Sequence, residues 1–227
     1  MTTINTVLVP QGAEYKAVCS GLSGVTGLKP TVMPIPIGIT PLTKYLQQWS
    51  KDKNLLNHPQ PRVLVMGLCG SLSKRYAIGD IVLYQDCNYQ GNSQECDRTF
   101  TAQLHFLTQE KVSLVKSMTS DRIIYSAAEK QHLGETLAAD VVDMEGFAVL
   151  NFFNDMGIAV AMLRVVSDDC QHDIPNLTSA ISSDGSLQPL PLALGLLRQP
   201  IAATRLIRGS LKGLKVLEEF TNLVFSH

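Results

Sequence analysis

Three short segments place ionisable groups where apolar runs end. In Val141-Val-Asp-Met-Glu-Gly-Phe-Ala-Val149 an apolar pair empties onto Asp143 and Glu145, which flank Met144. At an extended strand end two such acids share a face, and an ionised carboxylate accepting two hydroxyl hydrogen bonds grips the paired hydroxyls of a sugar. Helix capping accounts for one acid at this position, not for both. In Ile158-Ala-Val-Ala-Met-Leu-Arg-Val-Val-Ser-Asp-Asp-Cys170 a single arginine, Arg164, interrupts an apolar run that ends on Ser167, Asp168 and Asp169. An arginine in that setting requires a buried carboxylate partner. A carboxyl at a buried strand end can serve as a general acid, or simply cap a loop. Side-chain alternation puts Arg164, Val166 and Asp168 on one face and Val165, Ser167 and Asp169 on the other. The third segment, Arg62-Val-Leu-Val-Met-Gly-Leu-Cys-Gly-Ser-Leu72, passes from a buried run into a turn at Gly67 and Gly70. Those glycines either admit a ligand close to backbone amides or make a tight turn.

The elements that must carry these groups alternate. Short apolar runs rich in β-branched residues predict strands at Thr6 to Val9, Thr31 to Ile37, Arg62 to Met66, Asp80 to Leu83, Arg122 to Tyr125, Val141 to Val142 and Ile158 to Val166. Helical patterns cover Pro41 to Trp49, with Thr40 as N-cap, Ala127 to Leu137, and Glu145 to Met156. Strands alternating with helices predict a three-layer α/β/α fold around a central mixed, largely parallel β-sheet, with ligands at the strand ends. No repeat or long linker divides residues 1–227; polar stretches such as Gln90 to Arg98 read as loops too short to separate two cores, so one domain is expected.

Composition limits the partners. The chain has 227 residues, 45% of them apolar and 17% charged, enough to bury a sizeable core. Nineteen Lys and Arg against 20 Asp and Glu leave a net charge of −1, so no global field draws in nucleic acid or an anionic membrane. The five cysteines, Cys19, Cys69, Cys87, Cys96 and Cys170, are odd in number and scattered, which argues against a disulfide framework and against a zinc site; no metal is expected. The N-terminus lacks the basic and apolar regions of a signal peptide, and no run of apolar residues is long enough for a bilayer span, so a cytoplasmic location is expected.

Taken together, Val-Asp-Met-Glu-Gly-Phe-Ala at 142 to 148, Arg-Val-Val-Ser-Asp-Asp at 164 to 169, the glycine segment and Gly79-Asp-Ile-Val82 resemble the nucleoside phosphorylase and nucleosidase superfamily, of the phosphorylase/uridine phosphorylase type. The style of the motifs is similar to methylthioadenosine/S-adenosylhomocysteine nucleosidases and to hopanoid-associated phosphorylases. The resemblance implies an enzyme that cleaves the N-glycosidic bond of a purine nucleoside. It implies that Glu145 holds the ribose hydroxyls, that Met144 packs on the sugar, and that Asp168 donates a proton toward N7 of the base while Ser167 orients it. It implies that Arg164 sits near the nucleophile and neighbouring carboxylates, that Cys69 and Gly70 line the sugar pocket, and that Ile123 and Ile124 cover the base. Ile123 stands where an aromatic is common, which removes a stacking contribution. Glu14, in Val7-Leu-Val-Pro-Gln-Gly-Ala-Glu14, matches the glutamate that activates water in the nucleosidases; read from its position alone it is equally a first-turn helix glutamate. A homodimer or larger assembly, with a neighbour closing each pocket, is also implied.

Phosphorolytic relatives carry a Gly-Asp-Pro-x-Arg loop near the N-terminus and an arginine before the glycine turn. Here Pro10-Gln-Gly-Ala13 occupies the first place, Val65 the second, and Leu68 replaces a hydroxyl residue. A phosphate dianion needs arginine forks, hydroxyls and amides. Water is therefore the expected nucleophile and no cofactor is called for; the alternatives are phosphorolysis, with inorganic phosphate as co-substrate, and a catalytically silent nucleoside-binding module. Beyond the apolar run Leu190 to Leu197, broken at Pro200, Ile201 to Phe225 reads as a helix covering the sheet, with Arg205, Arg208, Lys212 and Lys215 on its wet face. It would lie on a membrane only for a substrate with a lipid-like 5′ group, and membrane contact is not the expectation.

Overall fold

The computed structural model describes residues 4–49, 61–108, 111–182 and 184–226. Part of the N-terminal segment read for a leader, residues 1–3, lies outside them. Strands β1 (Thr6–Pro10), β2 (Thr31–Ile35), β3 (Arg62–Ser71), β4 (Ile81–Tyr89), β5 (Asn92–Glu95), β6 (Ser113–Thr119), β7 (Val141–Asp143) and β8 (Ala159–Asp168) form one mixed sheet. Its pairs are mostly parallel, β3 with β8 being the longest; β3 with β7, β4 with β5 and β4 with β8 are antiparallel. The pairings β3–β8, β8–β4, β4–β6, β6–β7 and β7–β3 close a ring, so the centre of the sheet is curled on itself and carries few free edges.

Helices α1 (Ala13–Ser23), α3 (Arg98–Leu107) and α7 (Pro200–Phe225) cover one face, and α2 (Ile39–Trp49) and α5 (Gly146–Asp155) the other. The apolar strands divide their side chains accordingly: Ala161, Leu163 and Val165 of β8 pack toward α1 and α7, while Val160, Met162 and Val166 pack toward α2 and α5. The three layers expected from the sequence are therefore present. Helix α4 (Ala127–Leu137) starts on Ser126, whose hydroxyl accepts from the Glu129 amide, and packs over a smaller apolar cluster of Leu72, Met118 and Ile124. Helix α6 (Pro189–Arg198) has no buried residue. Among the described residues no helix is long and apolar enough to cross a membrane.

Several local expectations need correction. Arg122 to Tyr125 is not a strand; the sixth strand is the more polar Ser113–Thr119, and Ile123 and Ile124 line a cavity, Ile124 also packing on Met118 of β6 and Val142 of β7. Residues Gln90 to Arg98 are not all loop, because Asn92–Glu95 pairs with β4 and Asp97 caps α3 by accepting from the Phe100 amide at 2.7 Å. Strand β3 runs through Gly67 and Gly70 to Ser71 without a turn. Helix α2 begins at Ile39, so Thr40 lies inside it and is not its N-cap.

Candidate active site

Glu14 sits in the first turn of α1, where a carboxylate complements the helix dipole. Its Oε1 also accepts the Leu68 amide at 2.6 Å, which ties the start of α1 to β3. Burial pushes the Glu14 carboxyl up to about 6, against the lowering pull of the Arg164 guanidinium and the Leu68 amide. Gly67 makes the approach possible: a Cβ there would lie 2.4 Å from Arg164 Nη1 and 2.6 Å from Glu14 Oε1.

Arg164 is fully buried in β8 and finds the partners its sequence context demanded. Its Nη2 donates to Asp143 Oδ2 at 3.2 Å and to Glu145 Oε2 at 3.4 Å. Nε and Nη1 have no partner among the described residues. Asp143 is committed elsewhere as well, since its Oδ1 accepts from Thr119 Oγ1 at 2.8 Å and from the Gly146 amide at 3.1 Å. Both acids expected at 143 and 145 reach the cavity, but Asp143 accepts three hydrogen bonds from the fold and Glu145 two, which leaves Glu145 the greater capacity to accept from a ligand. Glu145 accepts the Gly38 amide on Oε1 at 3.2 Å. Burial raises its carboxyl to about 7, opposed by Arg164 and assisted by the charge of Asp143. One guanidinium facing three carboxylates cannot hold them all ionised at low cost.

At the far side of the site the register of β3 and β8 shifts between Cys69 and Gly70, so that Cys69 pairs with Val166 and Gly70 with Asp168. The bulge skips Ser167. It overturns strict alternation and turns both Ser167 and Asp168 into the same cavity. Ser167 Oγ lies 2.9 Å from Asp168 Oδ1 and 3.2 Å from the Cys69 carbonyl, two acceptors for its single proton. The other oxygen of Asp168 forms an ion pair with Lys130 of α4. Lys130 is 1% exposed, and it also donates to the Asp169 carbonyl at 2.9 Å. Helix α7 can press on this segment because its Gly209 has no side chain: a Cβ there would stand 2.2 Å from the Ser167 carbonyl oxygen.

One cavity of about 240 Å³ gathers the rest. Glu14, Cys69, Gly70, Ile123, Ile124, Met144, Glu145, Ser167 and Asp168, the residues singled out from the sequence, all line it. Arg164 does not. It lies behind Asp143 and Glu145, bonded to both of these neighbouring carboxylates, with its charge felt by Glu14. Sequence reasoning missed Lys130, since a lysine in the polar helix Ala127–Leu137 carries no sign that it is buried. It also missed the apolar wall of Ile174, Leu177, Ile181, Leu187 and Leu206, whose only signal was the apolar character of the C-terminal segment.

The mixed α/β sheet thus carries a strand-end cavity with an acid cluster at one end and a serine-supported aspartate at the other. The chain belongs to the phosphorylase superfamily, whose family model matches residues 55–183, and is an enzyme of that nucleosidase and phosphorylase class. Among solved structures it is similar to the futalosine hydrolase of Helicobacter pylori, at 15% identity, a TM-score of 0.68 and coverage of 98% of this chain and 97% of that one. It is similar to the 5′-methylthioadenosine/S-adenosylhomocysteine nucleosidase of Helicobacter pylori bound to butyl-thio-DADMe-Immucillin-A, at 16% identity, a TM-score of 0.65 and coverage of 95% and 97%. A third likeness is a nucleosidase of the same described type from Borrelia burgdorferi bound to adenine, at 13% identity, a TM-score of 0.62 and coverage of 94% and 98%. These likenesses show the fold. The comparison with curated proteins gave no match.

Proposed function

We propose that the protein hydrolyses the N-glycosidic bond of a purine nucleoside bearing an apolar 5′ substituent, of the 5′-methylthioadenosine kind. The observation that carries this reading is the place of Glu14: a half-buried carboxyl at the edge of the cavity, held by the Leu68 amide and raised to about 6. Near neutral pH such a group is largely ionised and still basic enough to take a proton from water. A phosphate dianion in its place would meet that carboxylate, with Pro10 and Leu68 beside it; Arg122, the one arginine among the described residues lining the cavity, is paired with Glu129.

In the proposed reaction Glu145 accepts hydrogen bonds from the ribose hydroxyls, and Met144 packs against the sugar. Water attacks the anomeric carbon and gives its proton to Glu14. Asp168, oriented by Ser167, takes up a proton from solvent as the nucleoside binds and passes it to N7 while the bond to the base nitrogen breaks, so that the base leaves neutral; the proton held by Glu14 returns to solvent. Lys130 stabilises the carboxylate that Asp168 becomes. Ile123 and Ile124 cover the base by dispersion, and the wall of Leu177, Ile181 and Leu187 receives the 5′ group.

Base release across a small nucleoside panel, with and without phosphate, tests the proposal. The expected outcome is adenine and free sugar from 5′-methylthioadenosine, independent of phosphate. A sugar 1-phosphate formed only with phosphate would show phosphorolysis instead. Tight nucleoside binding by calorimetry with no base released would leave a binding module.

A further inference from the structure

Of the 12 exposed large hydrophobic side chains among the described residues, seven fall between Leu187 and Leu211. Leu190, Leu194 and Leu197 follow one another at helical spacing along α6 and are 78%, 55% and 76% exposed; Ile201, 78% exposed, continues the row at the start of α7. The helix PLPLALGLLR has no buried residue: one side comes against Leu177 at Gly195, and the side carrying Leu190, Leu194 and Leu197 is left uncovered by the described residues.

The apolar row ends where a cationic one begins. Ile201, Arg205, Arg208 and Lys212 share one face of α7 at steps of four, three and four residues, and with Ile78 they line a cavity of about 590 Å³. Arg205 and Lys212 reach only backbone carbonyls, of Asp173 and Ile78. No ion pair among the described residues involves Arg198, Arg205, Arg208 or Lys212. From Gly185 to Leu217 the sequence holds three arginines and two lysines, five cations in all, and no acidic residue. With a net charge of −1 overall, the rest of the chain therefore carries −6.

We infer that α6 and the first half of α7 form a docking surface for an anionic lipid bilayer, with the leucine row entering the acyl boundary and the arginines and lysine meeting the headgroup phosphates. Apolar side chains in a row beside unpaired cations are the pattern of a helix that lies in a bilayer interface. A second copy of the chain fits less well, because a two-fold interface would set the same unpaired cations of both copies against each other. Leu187 belongs both to this face and to the wall of the nucleoside cavity, so docking brings the cavity mouth to the bilayer. The inference does not depend on the reaction proposed above.

Co-sedimentation of the full chain with phosphatidylcholine vesicles, and with vesicles that are one-third phosphatidylserine, tests it. The chain is expected to pellet with the anionic vesicles and to remain in solution with the neutral ones, and high salt should weaken the binding. Leu190→Glu with Leu194→Glu should reduce the bound fraction at least tenfold, and Arg198→Gln with Arg208→Gln should reduce it severalfold. All four residues are exposed and lie outside the nucleoside cavity, so melting temperature and base release from a soluble nucleoside should stay as in the unaltered protein. Absence of pelleting with anionic vesicles overturns the inference, as does equal binding by the glutamate variants. A chain that ignores vesicles but changes from dimer to monomer on Leu194→Glu, in a sedimentation-velocity experiment, would assign the face to a second copy.

Discussion

Arg164 and Lys130 are both buried cations facing carboxylates, one behind the end of the cavity where the proposed reaction puts the sugar and one at the end where it puts the base, yet they are used differently. Arg164 divides two hydrogen bonds between Asp143 and Glu145, with the Glu14 carboxyl close enough to feel its charge, and keeps two of its nitrogens unpartnered among the described residues. Lys130 serves a single carboxylate, Asp168, and a backbone carbonyl. Where acids outnumber the cation, burial wins and the carboxyls of Glu14 and Glu145 rise toward neutrality. Where the pairing is one to one, each charge is balanced. In the reaction proposed above, the proton acceptor Glu14 lies at the end with the charge imbalance, and Asp168 lies at the end where one carboxylate meets one cation.

Breaking the shared cation should have the largest effect. Arg164→Met leaves Asp143 and Glu145 buried without a counter-charge and is expected to cost about 3–5 kcal/mol, read by urea unfolding at pH 8. A loss smaller than that of the lysine variant below would reverse the ranking of the two ends. Glu14→Gln should lower kcat for base release roughly 10²- to 10⁴-fold while the melting temperature holds or rises, since a buried charge is removed. Lys130→Met strands a carboxylate that is 13% exposed, so a smaller loss of about 2–3 kcal/mol is expected. Combining it with Asp168→Asn should recover part of that loss, because both charges then go together; Asp168→Asn alone leaves the buried ammonium unpaired.

The smallest effect concerns pH. The folded Glu14 carboxyl, at about 6 against 4.5 in its ordinary state, binds a proton more tightly than the unfolded chain does. Its contribution to stability is fully present below pH 4.5 and is lost as pH rises through about 6, on the order of 2 kcal/mol. Unfolding measured across that window should show a shallower fall in Glu14→Gln than in the unaltered chain. The rate should run the other way, rising with pH through about 6 as Glu14 ionises.

The sugar end was largely legible in the sequence, because an arginine inside Ile158 to Val166 and acids at 143 and 145 are costly unless they meet. The base end was only half legible. Asp168 stood out at a strand end, but its partner lies on a helix whose pattern gives no apolar face, and burial of Lys130 is a property of the assembled fold. Alternation failed at Ser167 because a one-residue bulge leaves no mark in an apolar stretch. Ile123 and Ile124 were misread as strand for a related reason: apolar side chains serve a ligand cavity as well as they serve a sheet. The three layers followed from alternating strands and helices, whereas the ring closure depends on pairings between segments far apart in the chain.

That ring has a consequence for the order in which the molecule can come together. Strand β8 is the last strand along the chain and completes the circuit by lying between β3 and β4, and it brings Arg164 with it. Glu14, Asp143 and Glu145 all precede it in synthesis. A nascent chain that has not reached residue 164 therefore has open strand edges and three acids with no cation to bury them against. Seating the last strand and neutralising the acid cluster are one event, so a partly made chain has no folded state in which the site exists in weakened form.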